Sequence, residues 1–551
     1  MKQNDSGTAG PHPDPLPVGE GTKRDTLLRA AFLVVLTFVA YLPAIRGGFI
    51  WDDDTHVTEN IALRSLFGLK LIWFKLGATP QYYPLTHTSF WVQWHLFGAN
   101  PLPYHLANVV MHTASALILW RILVMLEIRG AFLAAAIFAL HPVQVESVAW
   151  VSERKNVLSG LFYMLAAWAY LKADTRGYVL SLIAFTAAVL SKTVAGSLPA
   201  ALLLVLWWKH GRITRRQILW LLPMFVIAIV MGRITSSMER WNVGATGPEW
   251  DYGFVQRMLI AGRAVWFYVL KIVFPIELSF IYPKWKLDSW AWIFPLAGVI
   301  VIIALWLGRA WWGRGPLAAT LFFVGTLIPA LGFVNVYPMR YSFVADHFQY
   351  LASIGIIVLI AQVFVRWERA ASVVLPLVLA VLTWQRAEAF SNPESLWVDT
   401  LDKNPSAWIA HDQLGAILAN RNDVEQAAGH FATAIELEPH HIEAYIGMGN
   451  LMLYQENNAQ EAVVWMRKAV AVRPDRPLPH YVLGKALRAA GDLSGAVGAF
   501  EAAIRVSPQF VPAYLQLAEV YTAMGQPDKA EEQKRAAQRI FREAFGYDAR
   551  P

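Results

Sequence analysis

The sequence predicts an all-α protein in two parts: a polytopic helical membrane domain, then a C-terminal α-solenoid of helical-hairpin repeats. Three observations carry that prediction. The chain of 551 residues is 56% hydrophobic and only 16% charged, too apolar for an ordinary soluble globule. The apolar excess fills residues 27–385 in membrane-length runs and then stops, so at least two domains are present. From about residue 405 a pattern of small and large residues recurs with a period near 34. The net charge of +7 sits largely in short Lys/Arg clusters between apolar runs, as cytoplasmic loops do, and is not read as a nucleic-acid signal. The absence of cysteine excludes disulfides, thiolate metal sites and thiol catalysis.

Residues 1–26 are rich in Pro and Gly and are expected to be a disordered tail. The first apolar run has Lys23, Arg24 and Arg29 at its start and no small-residue cleavage pattern at its end, so a retained span is expected. Candidate spans are 27–46, 104–126, 131–141, 156–172, 178–192, 194–208, 218–235, 291–307, 316–334, 349–365 and 371–385. The clusters at 209–216, 308–315 and 366–369 should share the cytoplasmic side with the N-terminus. They do so if the stretch 256–274, which carries Arg257, Arg263 and Lys271, lies on the membrane surface. That gives about eleven spans with the N-terminus cytoplasmic and the C-terminus external. If 256–274 crosses, there are twelve and the tail is cytoplasmic. In the eleven-span arrangement the aromatic-rich loop 47–103 is external, with an interfacial helix expected at 63–77, and 141–156 and 335–350 face the same side.

The membrane domain is read as 27–390 and the repeats as 391–551. Gly415, Gly449, Gly484 and Ala518 occupy one repeat position. Ala427, Ala462, Ala496 and Ala530 follow, then Phe431, Met466 and Phe500, then Ala434, Ala469, Ala503 and Ala537, and finally Pro439, Pro474 and Pro508. Small residues where two helices of a repeat touch, with proline before the next, form the tetratricopeptide pattern. The fourth copy turns charged, as a capping helix does, and "SNPESLWVDTLDKNP" (391–405) is expected to be a half-repeat. Such solenoids bind proteins or peptides, so a protein partner is expected there.

The triplet Asp52, Asp53 and Asp54 stands hard against the first span. A single carboxylate suffices to stop a span, and acidic residues do little for topology. A carboxylate at the water–lipid boundary can deprotonate a hydroxyl acceptor while a lipid-borne leaving group stays in the bilayer. Desolvation and a like-charged neighbour are both expected to raise its pKa. A lipid-phosphate leaving group needs cations, and Arg154, Lys155, Lys192 and Arg340 are the candidates on that side. Snorkelling is the other reading of Lys192, and an ion pair with Asp346 the other reading of Arg340. Glu146, Trp150 and Glu153 are spaced to share one helix face, as site lining or as an ordinary wet face. Tyr341 beside Arg340 joins the candidate substrate contacts. His56, His87, His95, His105, His112 and His141 cluster in the first part. A divalent metal is possible there, but no ligand spacing is diagnostic.

The motifs "GGFIWDDDTHVTEN", "HPVQVESVAWVSERKNVLSGLFY", "LSKTVAGSLPAALLLVLWWK" and "VADHFQYLASIG", followed by tetratricopeptide repeats, resemble the transmembrane and tetratricopeptide repeat-containing family. That family belongs to the GT-C class of membrane glycosyltransferases, relatives of the protein O-mannosyltransferases. The resemblance implies a polyprenyl- or dolichyl-phosphate-sugar donor. It also implies an acidic pair in the first external loop, matched here by Asp52 and Asp53, with Asp54 an extra. The compact form looks like that of a bacterial member, which would put the site and the repeats in the periplasm, outside the inner membrane. The expected activity is sugar transfer, mannose-like as a first guess, to a protein or glycan hydroxyl. A non-catalytic membrane scaffold and a surface-polysaccharide ligase or polymerase are the alternatives. A polyprenyl-phosphate phosphatase is disfavoured by the lack of a clustered His/Arg/Ser motif.

Overall fold

The computed structural model describes residues 22–245 and 247–545, and no strand occurs among them. Most of the expected tail, 1–21, lies outside the described residues; its last residues join the first helix, Lys23–Ala40, which Thr22 and Asp25 cap reciprocally. Capping by a threonine and an acidic N3 residue satisfies two N–H groups that a helix start otherwise leaves open. Each candidate span contains a helix: Pro101–Met125, Ala131–Leu140, Arg154–Leu171, Thr175–Ser191, Leu198–His210, Arg215–Met238, Ile293–Leu307, Gly315–Leu327, Ser353–Val363 and Glu368–Glu388 follow the first. Four helical segments, 101–125, 215–243, 289–307 and 365–388, are long and apolar enough to cross a membrane alone, and a fifth arises if 131–149, bent by 52°, counts as one. Helix packs on helix through much of the bundle, with Ser181 Oγ donating to the Ala166 carbonyl at 2.8 Å where two neighbours touch.

The loops sort to two ends. At one end Arg314 packs against Gly211, Gln362 donates to the Arg129 carbonyl at 2.5 Å, and Lys209 approaches Glu127 at 3.5 Å. At the other end lie the Asp52 loop, the 141–156 turn and the 335–350 segment. The helix Phe254–Val273 is about 30 Å long at 1.5 Å per residue. Both of its ends are tied to the Asp52 end: Arg257 donates to Gly332 and Asn335, and Ile272 accepts from His141 Nε2 at 2.8 Å. Between them, Trp266 donates to the Phe294 carbonyl at the start of the next helix. The helix therefore runs along that face of the bundle. A helix, Leu66–Phe74, forms within the stretch 63–77, with Leu66 and Phe74 strongly exposed. A further helix, Pro84–Phe97, went unread in the sequence; its Thr86 donates to the Ser191 carbonyl at 3.0 Å.

Four helical hairpins follow, from Trp408–Asn420 to Pro527–Phe545, preceded by Pro393–Lys403 at the expected half-repeat. The repeat arithmetic is visible in space. A Cβ added to Gly415, Gly449 or Gly484 would meet Phe431, Met466 or Phe500 at 3.0 Å or less. The small residue of one helix thus seats the large residue of its partner. The solenoid is fastened to the membrane part at the Asp52 end. Gly48 N–H donates to the Ser391 carbonyl at 2.9 Å, and a Cβ on Gly47 would lie 3.0 Å from that same oxygen, a close approach that accounts for glycine at 47. Lys403 and Asn404 donate to the Leu278 and Ile281 carbonyls at 2.7 and 3.1 Å, and the last helix returns to touch Leu66–Phe74. Repeats and acidic loop therefore share one end of the bundle.

Candidate active site

A cavity of about 780 Å³ opens at the Asp52 end. Its polar half is built by Asp52, His56, Tyr83, Glu146, Glu153, Lys155, Asn156, Lys192 and His347; its other half is the apolar wall of Phe225, Ala228, Ile229, Thr326, Ile328 and Phe333. Ile229 and Ile328 are 62% and 53% exposed, so this wall is continuous with the lipid-facing side.

The acidic triplet splits into three environments. Asp53 is fully buried and points away from the cavity, its oxygens accepting the N–H groups of Ile50 at 2.9 Å and Ser152 at 2.7 Å. Burial, with Asp52 beside it, pushes its carboxyl well up. Asp54 is exposed and accepts from Thr58 at 2.7 Å. Asp52 alone reaches the cavity, its side chain 32% exposed, 3.5 Å from His56 Nε2 and accepting from Ser152 Oγ at 2.7 Å. Burial pushes this carboxyl up, but His56, Lys155 and Ser152 outweigh it and hold it below the ordinary range. The expected upward shift thus belongs to Asp53, and Asp52 stays ionised.

Trp51, just before it, has a left-handed φ of 45°, a strained conformation for a bulky residue. Four rings hold it: Trp150 stacked at 5.3 Å, and Phe280, Tyr341 and Trp397 edge-on at 5.2, 5.7 and 5.9 Å. Trp397 belongs to the helix that begins the solenoid.

Glu146, Trp150 and Glu153 all line the cavity, by a different route from the one expected. The helix ends at Ala149, Trp150 is extended, and 151–153 is a separate 3-10 turn. Glu153 is the hub. Lys155 Nζ lies 2.8 Å from one oxygen; Lys192 Nζ and Asn156 Nδ2 lie 3.1 and 2.7 Å from the other. Burial opposes ionisation, yet His347, Lys155 and Lys192 hold its carboxyl far below the usual range. Lys192 is therefore a partly buried member of this cluster, paired with Glu153 rather than snorkelling. Glu146 is bound on one side by His347 Nδ1 at 2.6 Å, while its Oε2 has no hydrogen-bond partner.

Two expected cations sit elsewhere. Arg154 turns away from the cavity, donating to Asn108 at 2.9 Å, to the Tyr104 carbonyl at 2.7 Å and to Gln93, with its guanidinium over the Phe90 ring at 4.8 Å. The 3-10 turn before it sends adjacent residues 154 and 155 in different directions. Arg340 pairs with Glu249 at 3.2 Å and covers Trp408 of the first repeat at 5.0 Å. Asp346, its expected partner, instead accepts from Tyr282 at 3.0 Å. Tyr341 bridges cavity and repeat, its ring 5.2 Å from Trp408.

Sequence reasoning missed His347 and Glu239, the latter a buried carboxylate on the wall that accepts from Gln81 at 2.6 Å and from the Tyr337 N–H at 3.1 Å. His347 stands in a quoted motif; nothing local marked Glu239. Of the clustered histidines, His112 and His141 have both ring nitrogens hydrogen-bonded, while His87 and His105 are each held by one carbonyl and keep the other nitrogen buried without a partner. Among the described residues no group of three or more His, Asp or Glu side chains converges as a metal site.

A family model described as dolichyl-phosphate-mannose-protein mannosyltransferase matches residues 84–234, and a tetratricopeptide repeat model matches 487–544. A protein O-mannosyl-transferase of Caenorhabditis elegans is 22% identical over 74% of this chain and 62% of its own length. Protein O-mannosyl-transferase TMTC3 of Mus musculus is 22% identical over 93% of this chain and 64% of its own. TMTC2 of Mus musculus is 31% identical over 26% of this chain and 18% of its own. The chain thus spans less than two thirds of the length of these curated relatives. With the mannosyltransferase-type match in the membrane part, the repeats behind it and relatives of this kind, the chain fits the transmembrane and tetratricopeptide repeat-containing family.

Proposed function

We propose that the protein is a GT-C-type glycosyltransferase that moves a sugar, mannose first among the candidates, from a polyprenyl-phosphate donor to a protein hydroxyl. The observation that carries this reading is the two-sided cavity: an ionised, reachable Asp52 and the Lys155–Glu153–Lys192 cluster on one side, an apolar lipid-facing wall on the other. A donor with a charged head and a prenyl tail has the same two-sidedness. The relatives named as protein O-mannosyl-transferases support the reaction class.

Asp52 accepts the proton of the acceptor hydroxyl as its oxygen attacks the sugar C1. The bond from C1 to the phosphate oxygen breaks on the opposite face, inverting C1, and the phosphate keeps the electron pair. Lys155 and Lys192 lie where the departing charge develops, and fixed charges of this kind often supply the largest part of catalysis. Glu153 holds both ammonium groups in place. Glu146 Oε2 is buried without a partner beside the same cavity, an acceptor for a sugar hydroxyl once a side chain on the wall shifts. Arg154 is a fastener of the fold, and Arg340 and Tyr341 lie on the acceptor side beside the first repeat.

With eleven spans and basic clusters cytoplasmic, the cavity and repeats face the periplasm of a bacterial inner membrane. The repeats hold the protein acceptor or an assembly partner. The test is transfer from labelled polyprenyl-phosphate-mannose by the purified protein in lipid, with cell-envelope extract as acceptor, wild type beside Asp52→Asn and Glu146→Gln. Transfer lost in Asp52→Asn supports the assignment. Transfer that survives it but is lost in Glu146→Gln moves the base to Glu146. No transfer with any lipid-linked sugar rejects the enzyme in favour of the scaffold.

A further inference from the structure

A second cavity, of about 670 Å³, lies at the bundle end away from Asp52. Its walls are apolar, with Leu123, Leu202, Phe322 and Leu359 contributed by four different helices. Its size falls within the range of small-molecule and lipid sites. The rim is of another kind: Arg129 and Arg314 with Trp208 and Trp312. Both arginines are exposed. Arg314 packs on Gly211 so closely that a Cβ there would collide with the guanidinium, which places this cation beside the 209–214 turn. The rim carboxylate, Glu127, is 3.5 Å from Lys209 Nζ. Tryptophan at the mouth matches the headgroup level of a bilayer, and the rim is net basic.

We infer that this cavity binds one anionic phospholipid, its acyl chain among the apolar walls and its phosphate between Arg129 and Arg314. An apolar space open to the bilayer between helices fills with chain rather than water, because each buried methylene is favourable. Charge then selects the headgroup, since basic pockets between membrane helices attract anionic lipid. The site is independent of the chemistry at the Asp52 end.

The test is native mass spectrometry of the full-length protein after delipidation, titrated with phosphatidylglycerol and with phosphatidylcholine of the same chains. Wild type should retain phosphatidylglycerol in preference by on the order of tenfold. Arg129→Gln with Arg314→Gln should bring the two lipids to parity. Ala201→Phe, which fills the cavity, should weaken retention of both. If the double variant does not fold, Arg129→Gln alone carries the same reading, because that side chain is exposed. Equal retention of the two lipids by wild type overturns the proposal. So does a preference that outlasts the arginine changes, insensitivity to Ala201→Phe, or displacement of phosphatidylglycerol by polyprenyl phosphate at equal concentration.

Discussion

The two ends of the helical bundle use charge in opposite ways. At the Asp52 end, Asp53, Glu146, Glu153 and Arg154 are 1% exposed or less. Each is held by a contact from a different segment of the chain, at Ser152, His347, Lys192 and Asn108 in turn. At the far end the Lys209–Glu127 pair spans 3.5 Å with Glu127 77% exposed, and Arg129 and Arg314 lie on the surface. Burying an ion costs several kcal/mol unless partners compensate, whereas an exposed pair contributes about 0–1 kcal/mol. The far end leaves its cations exposed on the surface. The Asp52 end fixes its charges in space, which is what a reaction with charge development in its transition state requires.

The predictions test this contrast from the largest effect downward. Asp52→Asn should lower kcat for sugar transfer by about a thousandfold, within the range for loss of a general base, with an unchanged unfolding midpoint. Lys155→Ala and Lys192→Ala should each lower kcat by about a hundredfold, and phosphate-free donor analogues should bind the variants as they bind wild type. Arg154→Met should cost roughly 2–3 kcal/mol of stability by leaving buried acceptors unpaired, measurable by thermal unfolding in detergent. Asp346, pushed to about 7 chiefly by burial and by Glu146, gives a pH signature. Its folded pKa lies above its unfolded value, so its contribution to stability is full at acid pH and is lost as pH rises through 7. Asp346→Asn should therefore lose less stability than wild type as pH rises from about 4 to about 7 when the two are melted side by side. Lys209→Ala, at the far end, should change stability by no more than about 0.5 kcal/mol.

The same contrast marks what was legible in the sequence. Periodicity carried the helices, because a span is set by many apolar residues at once and survives an error at any one. The repeats were legible to single positions, since Gly449 and Met466 each exist for the other. Arg257, Arg263 and Lys271 set the stretch 256–274 apart from the other apolar runs, and Arg257 is bound to the loops of the Asp52 end. Side-chain direction was not readable. Arg154 and Lys155 are neighbours in the chain, and a 3-10 turn sends one into the fold and the other into the cavity. Asp52 and Asp53 differ by one residue and by whether backbone N–H groups claim both oxygens. Such choices are made by contacts about 100 residues away, at Ser152, and leave no local trace.

The most direct test sets those two neighbours against each other: Asp52→Asn and Asp53→Asn, each assayed for sugar transfer and for unfolding midpoint in the same lipid. The account predicts that Asp52→Asn folds as wild type does and does not transfer. It predicts that Asp53→Asn transfers in proportion to the protein that stays folded, with a lowered midpoint. A stable Asp53→Asn protein without transfer, beside an active Asp52→Asn protein, would contradict it.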